Sequence, residues 1–425
     1  MKIESYAQAI EYLYDSTPLF QKIGAAAYKP GLDSTRMLDN LFGNPHKKYK
    51  TIHVGGTNGK GSTAHTLAAV LMSAGYKVGL YTSPHLVDFR ERIRVNGEMI
   101  PQQSVIDFIN RFLGKEVKTP LSFFELTTIM AFDYFSACKV DVAVIEVGLG
   151  GRLDCTNIIM PELSIITNIS RDHVAQLGYE LTSIAAEKAG IFKPGVPAVI
   201  GEADGAVKDL FIQKAFESGT PITFASPLRI GEQSEDRIVY LSTPFGDLSG
   251  ELTGDCQPKN SATVVTALSI LREKGWKITD DDVKKGFAGV VELTSLMGRW
   301  MKISSSPDII ADTGHNEGGW KYLSEKLKSF GDCLHIVIGF VNDKDVTTIL
   351  GMLPPKARYY FTNASIPRAL PAGELRAKAL EYGLHGEAYL SVIEALDAAR
   401  AIAGKKDKIF VGGSTFIVAD LLSVY

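Results

Sequence analysis

The sequence lacks the three features that most readily assign a chain to a specialised class. Its formal net charge is −3, so it has no basic excess with which to bind the phosphate backbone of a nucleic acid. No apolar stretch approaches the roughly 20 residues that are needed to cross a bilayer. Its four cysteines are scattered without metal-ligand spacing, as is typical of reduced thiols in a cytoplasmic protein. We therefore expect a cytoplasmic globular protein whose partners are small molecules rather than nucleic acids or membranes.

The order of apolar runs and helical patterns predicts an α/β protein with a mostly parallel sheet and two domains. A chain of 425 residues is too long for one hydrophobic core. The pair Gly298-Arg299 is the predicted hinge, and it gives domains 1–298 and 299–425. The clearest strands are predicted at 77–81, 141–147, 163–167, 308–311, 335–339, 358–362 and 408–411. A small β excursion is predicted near 228–250.

Three helix starts carry local signals. Ser122 and Glu125 form a capping box that begins a helix at 123–137. Thr182 is the predicted cap of a second helix, which ends at Gly190. Asn260 precedes a third helix, predicted at 262–274.

The most informative stretch is residues 55–62, Gly-Gly-Thr-Asn-Gly-Lys-Gly-Ser, between an apolar run and a helical pattern at 63–74. Strand, glycine-rich turn and helix direct backbone N–H groups at an anion. Lys60 adds a mobile positive charge, and Ser62 adds a hydroxyl for a divalent metal. The stretch therefore indicates a nucleoside triphosphate as the ligand.

The match to the phosphate-loop pattern G-x-x-x-x-G-K-[ST] is imperfect. Val54 stands at the first glycine, and Gly61 separates the lysine from the hydroxyl residue. A plain tight turn is the alternative interpretation of such a loop.

Three further polar residues follow predicted strands, where ligands bind in open α/β sheets. They are Ser83, Glu146 and His173. Oxygen ligands suit magnesium, and a histidine is tolerated. Each has a structural alternative: Ser83 before Pro84 is a turn residue, a buried Glu146 needs a partner, and His173 is a loop histidine bonded to its neighbours.

Five motifs occur in order along the chain: residues 57–62, 83–86, 123–125, 146–154 and 187–192. The run 148–154, Gly-Leu-Gly-Gly-Arg-Leu-Asp, fails the dinucleotide pattern G-x-G-x-x-G because Leu153 replaces the third glycine. Together the motifs resemble the folylpolyglutamate synthases of the Mur ligase superfamily, in particular the bacterial kind that is also a dihydrofolate synthase. The similarity extends from Tyr6 to residues 413–416.

This resemblance implies a phosphate-loop ATPase domain of the Mur ligase type and a smaller Rossmann-like α/β domain that binds glutamate. It implies an ATP-dependent ligase of folate biosynthesis and one-carbon metabolism, usually a monomer. ATP phosphorylates the carboxylate of a pteroate or folate, and the amine of L-glutamate then displaces phosphate from the acyl phosphate.

The resemblance also implies roles for individual residues. The ATP-binding residues would be Thr57, Asn58, Gly59, Lys60, Gly61, Ser62, Asn260, Arg299 and Asp312. The ligands of two magnesium ions would be Ser62, Ser83, Glu146, His173 and Lys188, the last as a carbamate. The catalytic residues would be Lys60, Lys188, His173 and His315. The substrate contacts would be Phe123, Phe124, Arg152, Asp154, His315 and Ser414.

Structural alternatives remain for several of these residues. Phe123 and Phe124 also suit core packing at the start of a helix. His315 could cap the helix that follows it, and Lys188 could be a solvent-facing lysine at a helix end.

The chain departs from the family pattern at Met297, where a proline is usual, and at Trp300. Gly339 with residues 343–345 also fits that pattern.

Three alternative functions remain. One is a synthase that only extends the glutamate tail, and another is a Mur-type ligase with a different acyl substrate. The third, from another class, is a nucleotide-binding regulator that does not turn over, which would have little use for Glu146, His173 and Lys188 together. For a ligase we expect domain closure during turnover, with Arg299 and Asp312 reaching the nucleotide in the closed form.

Overall fold

A computed structural model describes residues 2–15, 31–117, 119–342 and 346–425. The chain forms two compact units, one of Met1–Thr253 with Gln257–Leu296 and one of Gly254–Cys256 with Met297–Tyr425. The predicted boundary between 298 and 299 thus assigns Met297 and Gly298 to the first domain, whereas their contacts belong to the second unit.

The described part of the first unit is built on an eight-stranded sheet with the order β4-β3-β2-β5-β1-β6-β7-β8. Its strands are β1 (Lys50–Gly55), β2 (Val78–Tyr81), β3 (Ile93–Val95), β4 (Glu98–Met99), β5 (Val142–Glu146), β6 (Leu163–Ile166), β7 (Ala198–Ile200) and β8 (Ile222–Phe224). All pairs from β2 to β8 are parallel, and β3 and β4 add an antiparallel edge. This arrangement confirms the predicted fold class.

A separate three-stranded antiparallel sheet confirms the predicted β excursion. Its strands are β9 (Arg229–Gln233), β10 (Ile238–Thr243) and β11 (Gly246–Gly250).

The described helices of the first unit lie before, between and after these strands along the chain. The α-helices are Tyr6–Asp15, Asp33–Leu41, Lys60–Ser73, Gln102–Leu113, Phe123–Cys138, Val174–Leu177, Leu181–Ala189, Gly205–Ser218, Gln257–Glu273, Asp280–Ala288 and Val290–Thr294. Short 3-10 helices occur at Pro45–Lys48, Phe89–Arg92 and Cys155–Ile158. No helix among the described residues is long and apolar enough to cross a membrane.

Of the three helix starts that were predicted from capping residues, one agrees with the structure and two do not. The capping box of Ser122 and Glu125 is present, with the Glu125 N–H donating to Ser122 Oγ over 3.2 Å. The Thr182 cap was wrong: the helix begins at Leu181 after an extended Glu180, which places Thr182 inside its first turn. Asn260 also lies inside a helix rather than before one, because that helix begins three residues earlier, at Gln257.

The described part of the second unit contains a six-stranded sheet with the order β12-β13-β17-β14-β15-β16. Its strands are β12 (Met301–Ser305), β13 (Asp308–Asp312), β14 (Leu334–Ile338), β15 (Arg358–Phe361), β16 (Gly386–Ala388) and β17 (Lys408–Gly412). Its α-helices are Glu317–Lys328, Thr347–Leu350, Ala372–Leu380, Val392–Ile402 and Thr415–Leu422, with a 3-10 helix at Gly331–Cys333. The four predicted strands are confirmed, whereas the edge strands β12 and β16 lack a buried apolar run and were missed.

The helix Lys60–Ser73, which follows the phosphate loop, is buried on all sides. Its apolar side chains belong to the same core cluster as those of β1, β5 and the helix Asp280–Ala288. Gly286 of that second helix faces Val70, so closely that a Cβ on Gly286 would lie 2.5 Å from Val70 Cα. The position of the phosphate-loop helix therefore depends on the absence of a side chain at residue 286.

We expect Gly286→Ala to destabilise the protein by about 1–3 kcal/mol, because the two helix backbones must move apart to admit a methyl group. Urea unfolding measures the effect. Gly289→Ala is the control, since a Cβ there would meet its nearest atom at 3.5 Å, an ordinary contact. Equal stability of the two variants would contradict this account of the packing.

Candidate active site

The phosphate loop needs glycine at two positions. Gly56 has φ of +137° and Gly59 has φ of +80°, both in the region that L side chains avoid. A Cβ on Gly56 would overlap the Thr167 side chain, and one on Gly59 would overlap the Asn260 amide. The loop is therefore closely surrounded by the segment after β6 and by the helix Gln257–Glu273.

The segment that follows β6 holds the phosphate loop in place. The N–H groups of Thr57 and Asn58 donate to the carbonyl and side-chain oxygens of Asn168, each over 2.9 Å. Thr57 Oγ1 donates to the Ser170 carbonyl over 3.1 Å and accepts from the Ser170 N–H over 3.0 Å. The conformation of the loop is thus fixed by its neighbours before any ligand binds.

Lys60 and Ser62 begin the helix at the end of this loop. Lys60 Nζ donates to the Thr57 carbonyl over 3.0 Å, within the loop itself. Ser62 is buried, and its Oγ accepts from Gln257 Nε2 over 3.3 Å. Gln257 Oε1 accepts in turn from Asn260 Nδ2 over 3.0 Å, so Asn260 joins the same cluster.

The parallel sheet brings Ser83 and Glu146 together. Glu146 of β5 is paired in register with Val54 of β1, just before the phosphate loop. Its buried Oε2 accepts the Ser83 N–H over 2.9 Å. The structural requirement that a buried carboxylate have a partner is therefore met beside the phosphate loop.

His173 follows β6 and has a left-handed backbone, with φ of 51°. Its N–H donates to Asp172 Oδ1 over 2.8 Å, and its Nε2 lies 3.9 Å from the same oxygen. The described part of the chain contains no cluster of three or more His, Cys, Asp or Glu side chains suited to a metal ion.

Lys188 is buried and reaches the phosphate loop from the helix Leu181–Ala189. Its Nζ donates to the Gly56 carbonyl over 2.7 Å. Burial, together with the nearby charge of Lys60, lowers the pKa of Lys188 from 10.5 to about 7. The structure therefore rules out the solvent-facing alternative for this lysine.

The loop 148–154 is held by its own side chains. Asp154 is buried, and its Oδ2 and Oδ1 accept the N–H groups of Leu149 over 2.8 Å and Thr156 over 3.0 Å. Arg152 is half-exposed and forms a 2.8 Å ion pair with Glu187. Asp154 thus shapes the loop from within.

Phe123 and Phe124 lie at the start of the helix Phe123–Cys138. Phe123 is buried, with its ring centroid 5.8 Å from that of Tyr14. Phe124 covers Gly148, where a Cβ would overlap the ring. Both phenylalanines pack as core residues do, so the packing interpretation stands beside the predicted substrate contact.

The predicted residues of the second unit lie at the carboxyl ends of β13 and β17. Asp312 Oδ2 and Oδ1 accept the N–H groups of Trp300 and Gly314, each over 2.8 Å, and burial raises the pKa of this carboxyl. Arg299 bonds to the Thr313 hydroxyl and to the Gly298 carbonyl.

His315 and Ser414 also have partners within the second unit. His315 Nδ1 lies 3.1 Å from the Thr313 carbonyl, and Asn316 caps the following helix in its place. Ser414 Oγ accepts the Ile417 N–H over 3.3 Å as the cap of the helix Thr415–Leu422. Residues 343–345, which fit the family pattern, lie outside the described residues.

Two family models match the chain in the same order as its two units. The Mur ligase middle domain matches residues 54–227, and the Mur ligase glutamate ligase domain matches residues 298–415. The dihydrofolate synthase/folylpolyglutamate synthase of Escherichia coli strain K12 is 34% identical over 374 residues, 87% of this chain and 85% of the relative. The chain belongs to this family of Mur ligases.

Solved structures of the family have the same fold. E. coli FolC in complex with DHPP and ADP has a TM-score of 0.85 and 32% identity, covering 99% of this chain and 97% of that one. The bifunctional folylpolyglutamate synthase/dihydrofolate synthase of Yersinia pestis, complexed with AMPPNP and a Mn ion, has a TM-score of 0.84 and 29% identity. It covers 99% of this chain and 98% of that one.

Sequence reasoning missed the polar groups that support the family motifs. Asn168, Ser170 and Gln257 carry no motif, although the first two follow a strand at the edge where ligands bind. His53 was also missed because it lies inside the apolar strand β1.

His53 is completely buried, with Nε2 2.8 Å from Thr156 Oγ1 and with no hydrogen-bond partner for Nδ1 among the described residues. Thr156 also donates to Asp154. Burial, with a smaller effect of Lys193, lowers the pKa of His53 to about 3. The imidazole is therefore neutral in the folded protein.

We expect His53 to make the first unit acid-sensitive. An unfolded histidine binds a proton near pH 6.5 and the folded one near pH 3, so stability is complete above pH 6.5 and is lost as the pH falls towards 3. The loss approaches about 1.4 kcal/mol per pH unit within this window. Urea unfolding at pH 7 and pH 4.5 should show a smaller loss for His53→Gln than for wild type. The exposed His385→Gln is the control, and equal pH dependence of His53→Gln and wild type would contradict the assignment.

Proposed function

We propose that this protein is an ATP-dependent amide ligase that adds L-glutamate to dihydropteroate, to tetrahydrofolate and its polyglutamates, or to both. Such an enzyme acts in folate biosynthesis and one-carbon metabolism. The observation that carries the proposal is the cluster of Lys60, Ser62, Glu146 and buried Lys188 around a preformed phosphate loop, in a chain of this family.

ATP is the proposed phosphoryl donor, and the loop residues suit its phosphates. The backbone amides around Gly59 and Gly61 lie at the N-terminus of the helix Lys60–Ser73, where free N–H groups and the helix dipole favour an anion. Lys60 at present bonds within the loop, and its ammonium group would exchange the Thr57 carbonyl for a phosphate oxygen. Asn260, Arg299 and Asp312 complete the proposed nucleotide contacts.

The proposed metal ligands are Ser62, Ser83, Glu146 and His173. Hydroxyl, carboxylate and imidazole donors fit magnesium or manganese when phosphate oxygens and water complete the shell. The metal neutralises charge on the transferring phosphoryl group when it is bound. We propose two ions, in keeping with the ligands on β2, β5 and β6.

Lys188 is proposed as a carbamate. As an ammonium group it would repel a metal ion, whereas a carbamate oxygen would be a suitable ligand. A lysine with a pKa near 7 has a substantial neutral fraction at physiological pH, and the neutral amine is the form that reacts with carbon dioxide.

The remaining predicted contacts are assigned to the two other substrates. Phe123, Phe124, Arg152 and Asp154 are proposed for the pteroate or folate, and flat apolar walls suit its heterocycle. His315 and Ser414 are proposed for L-glutamate, in a C-terminal domain 299–425 that follows a nucleotide-binding domain 1–298. Protein residues position the reactants and stabilise charge, while the acyl phosphate supplies the leaving group.

The partners we propose are the small-molecule substrates, with no nucleic acid and no membrane. A monomer in the cytoplasm, where ATP and reduced folates meet glutamate, is the proposed working form.

The test is glutamate-dependent phosphate release with ATP and magnesium, first with 7,8-dihydropteroate and then with tetrahydrofolate. Activity with both substrates indicates a dual enzyme, and activity with tetrahydrofolate alone indicates tail extension. If neither supports release while ATP binds, another acyl substrate is indicated and the folate proposal is wrong.

We expect Lys60→Ala and Lys188→Ala each to lower kcat by about a hundredfold to a thousandfold. Lys60→Ala removes positive charge at the transferring phosphoryl group, and Lys188→Ala removes a ligand of the metal that neutralises charge there. Lys208→Ala is the matched control, since Lys208 is an exposed residue of the helix Gly205–Ser218. A Lys188→Ala variant that ligates glutamate at the wild-type rate would contradict the proposed metal site.

A further inference from the structure

Arg92 is a buried cation whose terminal guanidinium nitrogens have no hydrogen-bond acceptor in the part of the chain that the structure describes. It is 3% exposed and lies at the end of the 3-10 helix Phe89–Arg92. Its carbonyl accepts the Thr82 N–H over 3.0 Å, which fixes Arg92 next to Ser83 at the carboxyl end of β2.

The guanidinium is oriented from one side. Its Nε donates to His85 Nδ1 over 2.7 Å, so His85 must carry its proton on Nε2, which lies 3.2 Å from the Tyr14 hydroxyl. Burial and the Arg92 charge lower the pKa of His85, which keeps the ring neutral. The guanidinium carbon lies 5.2 Å from the ring centroid of Phe123.

The nearest carboxylates along the chain are engaged elsewhere. Glu91 accepts the N–H groups of Leu86, Val87 and Asp88 over 2.7–2.8 Å. Asp88 binds the Tyr6 hydroxyl and the guanidinium of Arg90. Among the residues that the structure describes, none accepts a hydrogen bond from Arg92 Nη1 or Nη2.

Glu146 contributes charge near Arg92 without bonding to it. It favours the charged guanidinium, yet burial still lowers the pKa of Arg92. A buried guanidinium whose terminal nitrogens have no acceptor opposes folding, and a planar fork of donors fits a carboxylate with two parallel bonds. Both facts indicate an anionic ligand beside Ser83 and Phe123.

We infer that Arg92 binds the reacting carboxylate of the acyl substrate through Nη1 and Nη2 and presents it to the phosphate loop. The inference rests on the proposed function, which supplies a flat substrate for Phe123 with a carboxylate that must reach the nucleotide. Arg92 would thus select a carboxylate over a neutral group before phosphorylation.

The test compares pteroate with its neutral carboxamide, pteroamide, by calorimetric titration in the absence of ATP. Wild type should bind pteroate about tenfold to a hundredfold more tightly, the range for hydrogen bonds to charged groups. Arg92→Gln should lose this preference by binding pteroate more weakly, with pteroamide unchanged. Arg92→Lys should be intermediate because it keeps the charge and loses the fork.

Arg90→Gln is the matched control, since Arg90 lies on the same 3-10 helix and its guanidinium is paired with Asp88. It should keep the preference for pteroate. Thermal unfolding of Arg92→Met separates binding from structure: removal of an unmatched buried charge should leave Tm unchanged or raise it, whereas a purely structural arginine would lower it.

Two outcomes overturn the inference alone. One is equal binding of pteroate and pteroamide by a wild-type protein that ligates glutamate. The other is a loss of affinity in Arg92→Gln that is equal for pteroate and pteroamide, since the arginine would then contact a part of the substrate other than its carboxylate. Wild type that binds an ATP analogue but releases phosphate with neither 7,8-dihydropteroate nor tetrahydrofolate contradicts the proposed function, and the inference with it.

Discussion

The parallel pairing of β1 with β5 on one side and β6 on the other is the constraint on which the rest of the site depends. Backbone hydrogen bonds hold Val54 opposite both Glu146 and Ile165, so the segments after these strands emerge at one edge. The phosphate loop, the buried carboxylate and the Asn168 segment are neighbours for this reason. Lys188 lies on the helix Leu181–Ala189, and its Nζ donates to the Gly56 carbonyl, so that it contacts the phosphate loop as well.

Motifs and apolar runs were sufficient to predict a mostly parallel sheet in the first unit, its strands β1, β2, β5 and β6, and the position of Glu146 at the end of β5. Those features follow from apolar runs and from the rule that ligands bind at strand ends. Ser83 and Glu146, two candidates that were predicted separately at strand ends, are joined by a hydrogen bond, and the predicted helix at 123–137 is present with its capping box. At these positions the features predicted from sequence patterns are the features that the folded chain shows.

Other features depend on residues that are distant in the sequence. Gln257 and Asn168 reach the loop only in the folded chain, and neither belongs to a periodic pattern. The Thr182 cap was wrong because the helix begins one residue earlier, at Leu181, after an extended Glu180 with no side-chain cap. Arg92 was not predicted as a site residue because an arginine beside acidic residues suggests an ion pair at the surface. In the folded chain Arg92 is buried, and the neighbouring carboxylates of Asp88 and Glu91 bond to other groups.

The short segment Gly254–Cys256 belongs to the second unit, although the chain on both sides of it belongs to the first. Asp255 lies 3.5 Å from Lys326 Nζ, and Cys256 is within the electrostatic reach of Asp312 and Arg299. The chain therefore passes between the units at residues 253/254, 256/257 and 296/297. A single cut at the last of these points would separate the C-terminal fragment from three residues of its own unit. Three covalent connections therefore join the two units, where a division at a single boundary would have only one.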